Sequence, residues 1–312
     1  MKKKRRFGDR ADGYLVRDND PMHILFPHLL PNRTDNEVSL CEQVELTAIR
    51  EYLDKKNADE AEFKYTIFHV VLAALARVIA ERPHMNRFYA GDRLYQRNNI
   101  SFAFVIKKDY TDESPETIAI LKYDPELEAS PMEQIYGGVR DLVNGVRRDG
   151  KVEDEATGVM KLVGKLPRFL VKFVVWILKK LDYYGKYPAS LMEADPYYTT
   201  CFVSNLGSIR LCADYHHLAN RGTNSIFLII GQKKENIYID RDGNVAKKDV
   251  LPLAVTIDER IADGVYFSKS LSRLRKYLLH PEVLDESLVA KKSAEDGTDK
   301  AFSQEKDIEK VC

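Results

Sequence analysis

The stretch Leu251-Pro-Leu-Ala-Val-Thr-Ile-Asp-Glu-Arg-Ile-Ala-Asp-Gly264 decides how this chain of 312 residues is read. Leu251, Leu253, Val255 and Ile257 recur with a period of two, which is the side-chain alternation of a β-strand. Glu259 continues that apolar register, whereas Asp258 and Arg260 fall on the other face. Past Asp263 and Gly264 the spacing changes to that of an amphipathic helix, from Tyr266 to Leu279. A strand therefore runs into an acidic loop that turns into a helix.

Working outward, Ser225 to Gly231 is a short, nearly continuous apolar run (Ile226-Phe227-Leu228-Ile229-Ile230), expected to be a central strand. Tyr197 to Val203 reads as a strand leading into Ser204-Asn205-Leu206-Gly207. Ser130 to Arg148 reads as a helix. Ile100 to Lys107 alternates as a strand through Phe102, Phe104 and Ile106, and a shorter strand lies around Arg93 to Tyr95. The clearest helix is Thr66 to Glu81. Ile67, Val70, Val71, Ala74, Leu75, Val78 and Ile79 keep helical spacing, Thr66 suits the N-cap, and Arg82-Pro83 ends it. Val38 to Leu46 alternates as a strand, and Thr47 can cap a short helix through Lys55. Before Asn36, Pro21, Pro27 and Pro31 are expected to break any long element. The order is neither a regular βαβ alternation nor all-β. It predicts an α/β (α+β) domain, a mixed sheet with helices packed on it, over residues 38–289, with a segment 1–37 ahead of it. Residues 290–312 are rich in Lys, Glu, Asp and Ser, and are expected to be a disordered tail.

Composition excludes several classes. Lys plus Arg and Asp plus Glu are both 48, so no global field favours nucleic acid. The four cysteines, Cys41, Cys201, Cys212 and Cys312, form no CxxC pair, and neither a metal site nor a disulfide framework is expected. The basic start, Met1 to Arg6, is followed by no apolar segment, which reads as a cytoplasmic protein without a secretory signal. No apolar run approaches the ~20 residues of a membrane-spanning helix.

Three segments carry a family resemblance. The 251–264 stretch is similar to the strand, His-x-x-x-Asp-Gly loop and helix that mark the catalytic domain of the dihydrolipoyl (2-oxoacid dehydrogenase) acyltransferases and chloramphenicol acetyltransferase. Cys201-Phe-Val-Ser-Asn-Leu-Gly207 resembles the family's Phe-Thr-Ile-Ser-Asn-Leu-Gly. The helix ending at Arg82-Pro-His-Met-Asn86 resembles a family helix ending at Pro-x-Leu-Asn. The resemblance covers about residues 38 to 284 and implies a two-layer, chloramphenicol-acetyltransferase-like fold. It also implies a trimer with active sites between subunits, acyl-CoA as co-substrate, and a small hydroxyl, amine or thiol acceptor. By the same resemblance Ser204 would donate to the developing oxyanion, and Asp263 would pair with an arginine, for which Arg33, Arg17 and Arg260 are candidates. Gly264 would allow the strand-to-helix turn.

The chain departs from the family at one position: Glu259 stands where the family has its catalytic histidine. A thiol of pKa ~8.5 is mismatched with an imidazole by about two units, roughly 2.7 kcal/mol, but with an ordinary glutamate by about four, roughly 5.7 kcal/mol. Glu259 can serve as a base only if burial raises its pKa, and its place on the apolar face of the strand is the reason to expect that. The competing reading makes Glu259 half of a buried ion pair in a non-catalytic trimeric scaffold or ligand-binding protein of the same fold. His216 or His217 could supply a base in its place, or be structural. No lipoyl-bearing segment or Pro/Ala-rich linker precedes the domain, which favours a free-standing role.

Val159 to Leu181 contains no acidic residue between Lys161 and Lys180. On a helical projection Lys161, Lys165, Arg168, Lys172 and Lys179 share one face, opposite Leu162, Leu166, Phe169, Leu170, Phe173, Val174, Ile177 and Leu181. Such a helix packs its apolar side on its own domain or a sister subunit, its basic face solvated or lining an entrance for CoA phosphates. Alternatively it lies on an anionic membrane.

Overall fold

In chain order the computed structural model forms β1 (Gly13–Leu15), α1 (Pro21–Leu29), β2 (Glu37–Glu45), α2 (Thr47–Lys56), α3 (Ile67–Glu81), β3 (Arg87–Ala90), β4 (Arg93–Arg97), β5 (Ile100–Lys107), β6 (Glu116–Tyr123) and α4 (Pro131–Asp149). There follow α5 (Arg168–Tyr183), α6 (Ala189–Ala194), β7 (Cys201–Asn205), β8 (Ile226–Ile230), β9 (Lys234–Ile239), β10 (Val245–Asp258) and α7 (Gly264–Leu279). Residues 4–18, 20–59, 62–107, 111, 116–149, 166–239 and 243–289 are described. The tail expected over 290–312, and Lys161, Leu162 and Lys165 of the basic stretch, lie outside them.

The main sheet has the order β2-β10-β8-β7-β5-β6, with β9 pairing the first half of β10. β7 runs parallel to both β5 and β8, and the other pairs are antiparallel, so the sheet is mixed as expected. The continuous apolar run of β8 lies inside the sheet, paired on both edges and buried throughout. One sheet face carries Phe102, Phe104, Val203, Ile226, Leu228, Leu253, Val255 and Ile257 against α3, α4 and α7. The other face carries a smaller apolar cluster of Phe227, Ile229 and Ala254 beneath Leu218. Gly207 permits this close packing: a Cβ there would lie 2.6 Å from the Gly231 carbonyl oxygen.

Three features differ from expectation. Residues before Asn36 are built into the domain: β1 pairs β4 in a three-stranded sheet with β3, and α1 forms despite its prolines. Pro21 sits at the start of α1, where its missing N–H costs nothing, behind the Asp20 cap. The strand expected from Tyr197 begins only at Cys201, because Pro196–Tyr198 forms a 3-10 turn capped by Asp195. On α5, Phe169 and Phe173 are exposed alongside the lysines rather than opposite them.

The central helix α3 is buried from His69 to Ile79. The Thr66 N–H donates to His69 Nδ1 at 3.0 Å in a capping box where an imidazole replaces the usual carboxylate. Because Nδ1 accepts, Nε2 carries the ring proton. It is enclosed, without a hydrogen-bond partner, in an aromatic cage that includes Phe63 and Tyr136. Burial pushes the His69 pKa down to about 4. The unfolded chain therefore takes up this proton below about pH 6.5 while the folded chain does not. The stability this site contributes is complete above pH 6.5 and is lost progressively down to about pH 4, by roughly 3 kcal/mol. Urea melts of the protein and of His69→Gln across that range should show the native protein losing about that much more than the variant.

Candidate active site

The end of β10 is fixed by ions. Asp258 is fully buried and accepts two hydrogen bonds from the Arg260 guanidinium, both at 2.8 Å, and one from the Arg260 N–H at 3.2 Å. The Arg33 Nε lies 3.5 Å from the same carboxylate. Arg33 spends its other nitrogens on the carbonyls of Ala219, Tyr89 and Gly222, and Arg260 donates to the carbonyl of Leu30. Burial pulls the Arg33 pKa down against the pull of Asp258. The arginine-bound carboxylate is thus Asp258, not Asp263 as expected, because the strand turns immediately after Asp258.

That turn, a 3-10 segment over Glu259–Ile261, breaks the period of two. Ile261 takes the buried position and Glu259 is exposed, so the expected apolar surroundings of Glu259 are not present in the single chain. No ion pair or hydrogen bond joins Glu259 to another described residue of the same chain, so no buried ion pair forms there within one chain. Asp263 is also exposed and caps α7, accepting from the Tyr266 N–H at 2.8 Å. Gly264 has an ordinary backbone conformation, and a Cβ there would meet nothing within 4 Å. The turn does not require glycine, and the space beside it is open.

Glu259, Asp263 and Gly264 line one wall of an open groove of about 840 Å³ between α1, β2 and α7. The same groove brings in residues not singled out in the sequence: His84, Arg87 and His23. The His84 imidazole stacks on Tyr266 at 4.5 Å, and its N–H backbone donates to the Tyr266 hydroxyl at 3.1 Å. The Asp263 cap and the His84 platform therefore meet in the first turn of α7. Burial, then Arg87 and Arg82, lower the His84 pKa, which keeps the ring neutral at pH 7. Arg87 has no carboxylate within ion-pair distance among the described residues. His84 lay in the quoted Arg82-to-Asn86 motif, and its position one residue past a helix-ending proline was the signal available.

Ser204 and His216 lie elsewhere. Ser204, half-buried on β7, is opposite Ile229, which is opposite Ala254. Glu259 is five positions further along, so the two are ~17 Å apart along the strands and about 10 Å across them. His216 stacks on Phe227 at 4.2 Å, and its Nδ1 contacts the His217 carbonyl at 2.9 Å. The ring lies over the outer sheet face, outside the groove. A single chain does not bring Glu259, Ser204 and His216 together. No group of three or more His, Cys, Asp or Glu among the described residues could hold a metal ion.

Residues 189–285 match the family described as 2-oxoacid dehydrogenases acyltransferase (catalytic domain). The chain has the chloramphenicol-acetyltransferase-like acyltransferase fold. It is 23% identical over 224 residues to the lipoamide acyltransferase component of the branched-chain alpha-keto acid dehydrogenase complex of Bacillus subtilis (strain 168), covering 72% of this chain and 41% of that protein. The chain thus spans about two-fifths of that relative's length. A probable dihydrolipoamide acetyltransferase from Listeria monocytogenes 4b F2365 superimposes with a TM-score of 0.54 at 18% identity, over 84% of this chain and 93% of that one. A chloramphenicol acetyltransferase does so with a TM-score of 0.51 at 16% identity, over 85% and 99%. The resemblance is borne out by the family match over residues 189–285, which contains two of the three segments, and by the fold.

Removing the Asp258 charge strands two buried guanidinium groups, so Asp258→Asn should cost about 3–5 kcal/mol in urea denaturation. Asp263→Asn should cost less than about 0.5 kcal/mol, since asparagine caps a helix as well as aspartate. Equal losses would mean that Asp263 also holds an arginine.

Proposed function

We propose that the chain is a trimeric acyltransferase that moves an acyl group from a CoA thioester to a small hydroxyl, amine or thiol acceptor. One observation carries the reading: Glu259, the residue in the family's histidine position, projects unpaired into an open groove.

In this reading the acceptor's lone pair forms a bond to the thioester carbonyl carbon while its proton passes to the Glu259 carboxylate. The oxyanion accepts a hydrogen bond from Ser204 of a neighbouring subunit. Collapse breaks the C–S bond, and the proton returns to the CoA sulfur. The ~20 Å between Ser204 and Glu259 within one chain supports a site shared between subunits. Exposed Ile237, Ile239 and Val245 on the β9–β10 hairpin offer apolar surface for the association. Arg87 is the groove cation placed to receive a phosphate or developing negative charge. A neighbour covering the groove would take the Glu259 carboxylate out of water and so strengthen it as a proton acceptor. His84 supports a second assignment of the base, since its imidazole is neutral and lines the same groove.

Glu259→Gln should lower thiol release from acyl-CoA by about 10²–10⁴-fold with unchanged melting, because no ion pair is lost. If turnover survives that change but falls with His84→Gln, the base is His84, and the rate should decline only below pH 6.5, where a depressed imidazole begins to protonate. Light scattering should give three times the 35.8 kDa chain mass. Mixed trimers of Glu259→Gln with Ser204→Ala should regain about a quarter of native turnover, since random mixing restores one interface in four. No recovery in mixed trimers would rule out the shared site.

A further inference from the structure

Helix α5 has no buried residue along its length. Its inner side is half-buried: Val171, Val174 and Leu178 line a cavity of about 740 Å³ above Tyr89 and Arg260. Its outer side is different. At 100° per residue, Arg168, Phe169, Lys172, Phe173, Trp176 and Lys180 fall within one arc of about 140°, which also holds Lys179 and Tyr183, although these two reach round to the rim of the cavity. Phe169, Phe173 and Trp176 are 69%, 55% and 56% exposed, and Phe173 stacks on Trp176. Four cations surround these rings, and no acidic residue occurs from Leu166 to Leu181.

We propose that this outer face docks on an anionic lipid surface, with α5 lying in the plane of the headgroups. Large aromatic rings between lysines and arginines on one helical face match that environment, where rings sit at the headgroup level and cations meet phosphates. A protein partner matches less well, because lysine is depleted at the core of protein interfaces. The helix is ~24 Å long, too short to span the bilayer, and no described helix is long and apolar enough to cross a membrane. Its attitude is fixed from below. The buried Arg10 guanidinium holds Asp182 at 2.7 Å and donates to its carbonyl at 2.6 Å, and the Tyr183 hydroxyl donates to Asp92 at 2.6 Å. These contacts grip the C-terminal end and leave Phe169 to Trp176 facing outward. The inference is independent of the acyl-transfer reading, since none of these side chains lines the Glu259 groove.

Trp176 is the only tryptophan in the chain, so intrinsic fluorescence reports this face alone. The full-length protein would be titrated with phosphatidylcholine vesicles containing about one-third phosphatidylglycerol, and with pure phosphatidylcholine vesicles. The expected result is a blue shift and quenching by brominated lipid with the anionic vesicles, and at least tenfold weaker binding to the neutral ones. Lys172→Glu with Lys180→Glu keeps the fluorophore and should weaken binding more than tenfold with unchanged melting. No shift with anionic vesicles, or equal binding to neutral ones, would overturn the proposal. So would a shift that follows protein concentration without lipid, which would mean that a second copy of the chain covers this face.

Discussion

The geometry of the candidate site depends on one buried carboxylate. Asp258 ends β10, and the cations it holds reach the carbonyls of Leu30, Tyr89, Ala219 and Gly222. The chain after α1, the strand β3, the loop before β8 and the end of β10 therefore converge on a single charge cluster. Pairing the Asp258 carboxylate with both guanidinium groups, and spending their remaining N–H groups on carbonyls, is the condition for burying them, since an unpaired buried ion costs several kcal/mol. The bidentate grip of Arg260 on its near neighbour Asp258 also forces the backbone out of the strand. Glu259 is turned outward as a consequence.

The sheet and the helices α3, α4 and α7 were legible because their periodicities are long and unambiguous. The apolar alternation through Ile257 set the register of β10, and the run 226–230 placed β8 inside the sheet. What failed was local. Extending a period of two by one residue to Glu259 ignored that Asp258 and Arg260, on the supposed outer face, can pair across the turn and end the strand. The N-terminal prolines were read as breakers, yet Pro21 stands where a helix tolerates proline. The register of β1 on β4 is set by long-range pairing that no local pattern records.

The groove was less legible than the fold. Glu259, Asp263 and Gly264 were found by spacing, but His84 and Arg87 reach them only because α7 folds back onto the end of α3. Arg82 donates to the Tyr266 carbonyl at 3.2 Å and to the Ser270 hydroxyl at 3.2 Å, and its guanidinium lies 3.7 Å from the Tyr266 ring. That packing places the His84 imidazole in the same groove as the acidic turn. The groove that Glu259 lines thus also carries a histidine, reached from a different element.

Helix α5 shows where sequence reading and packing part company. A helical projection groups residues by angle, but it cannot say which arc meets the body of the protein. The lysines suggested an outer face and the phenylalanines an inner one. In the fold, the arc centred on Trp176 points away, and the smaller Val171, Val174 and Leu178 face inward. The fixing contacts are at the end of the helix: Arg10, itself buried and already paired with Asp12 at 2.9 Å, also holds the Asp182 carboxylate and carbonyl. Rotating α5 to bury Phe169 and Phe173 would break both Arg10 contacts to Asp182 and the Tyr183 hydrogen bond to Asp92. This polar grip on one end of the helix fixes its rotation, and the aromatic face is left open.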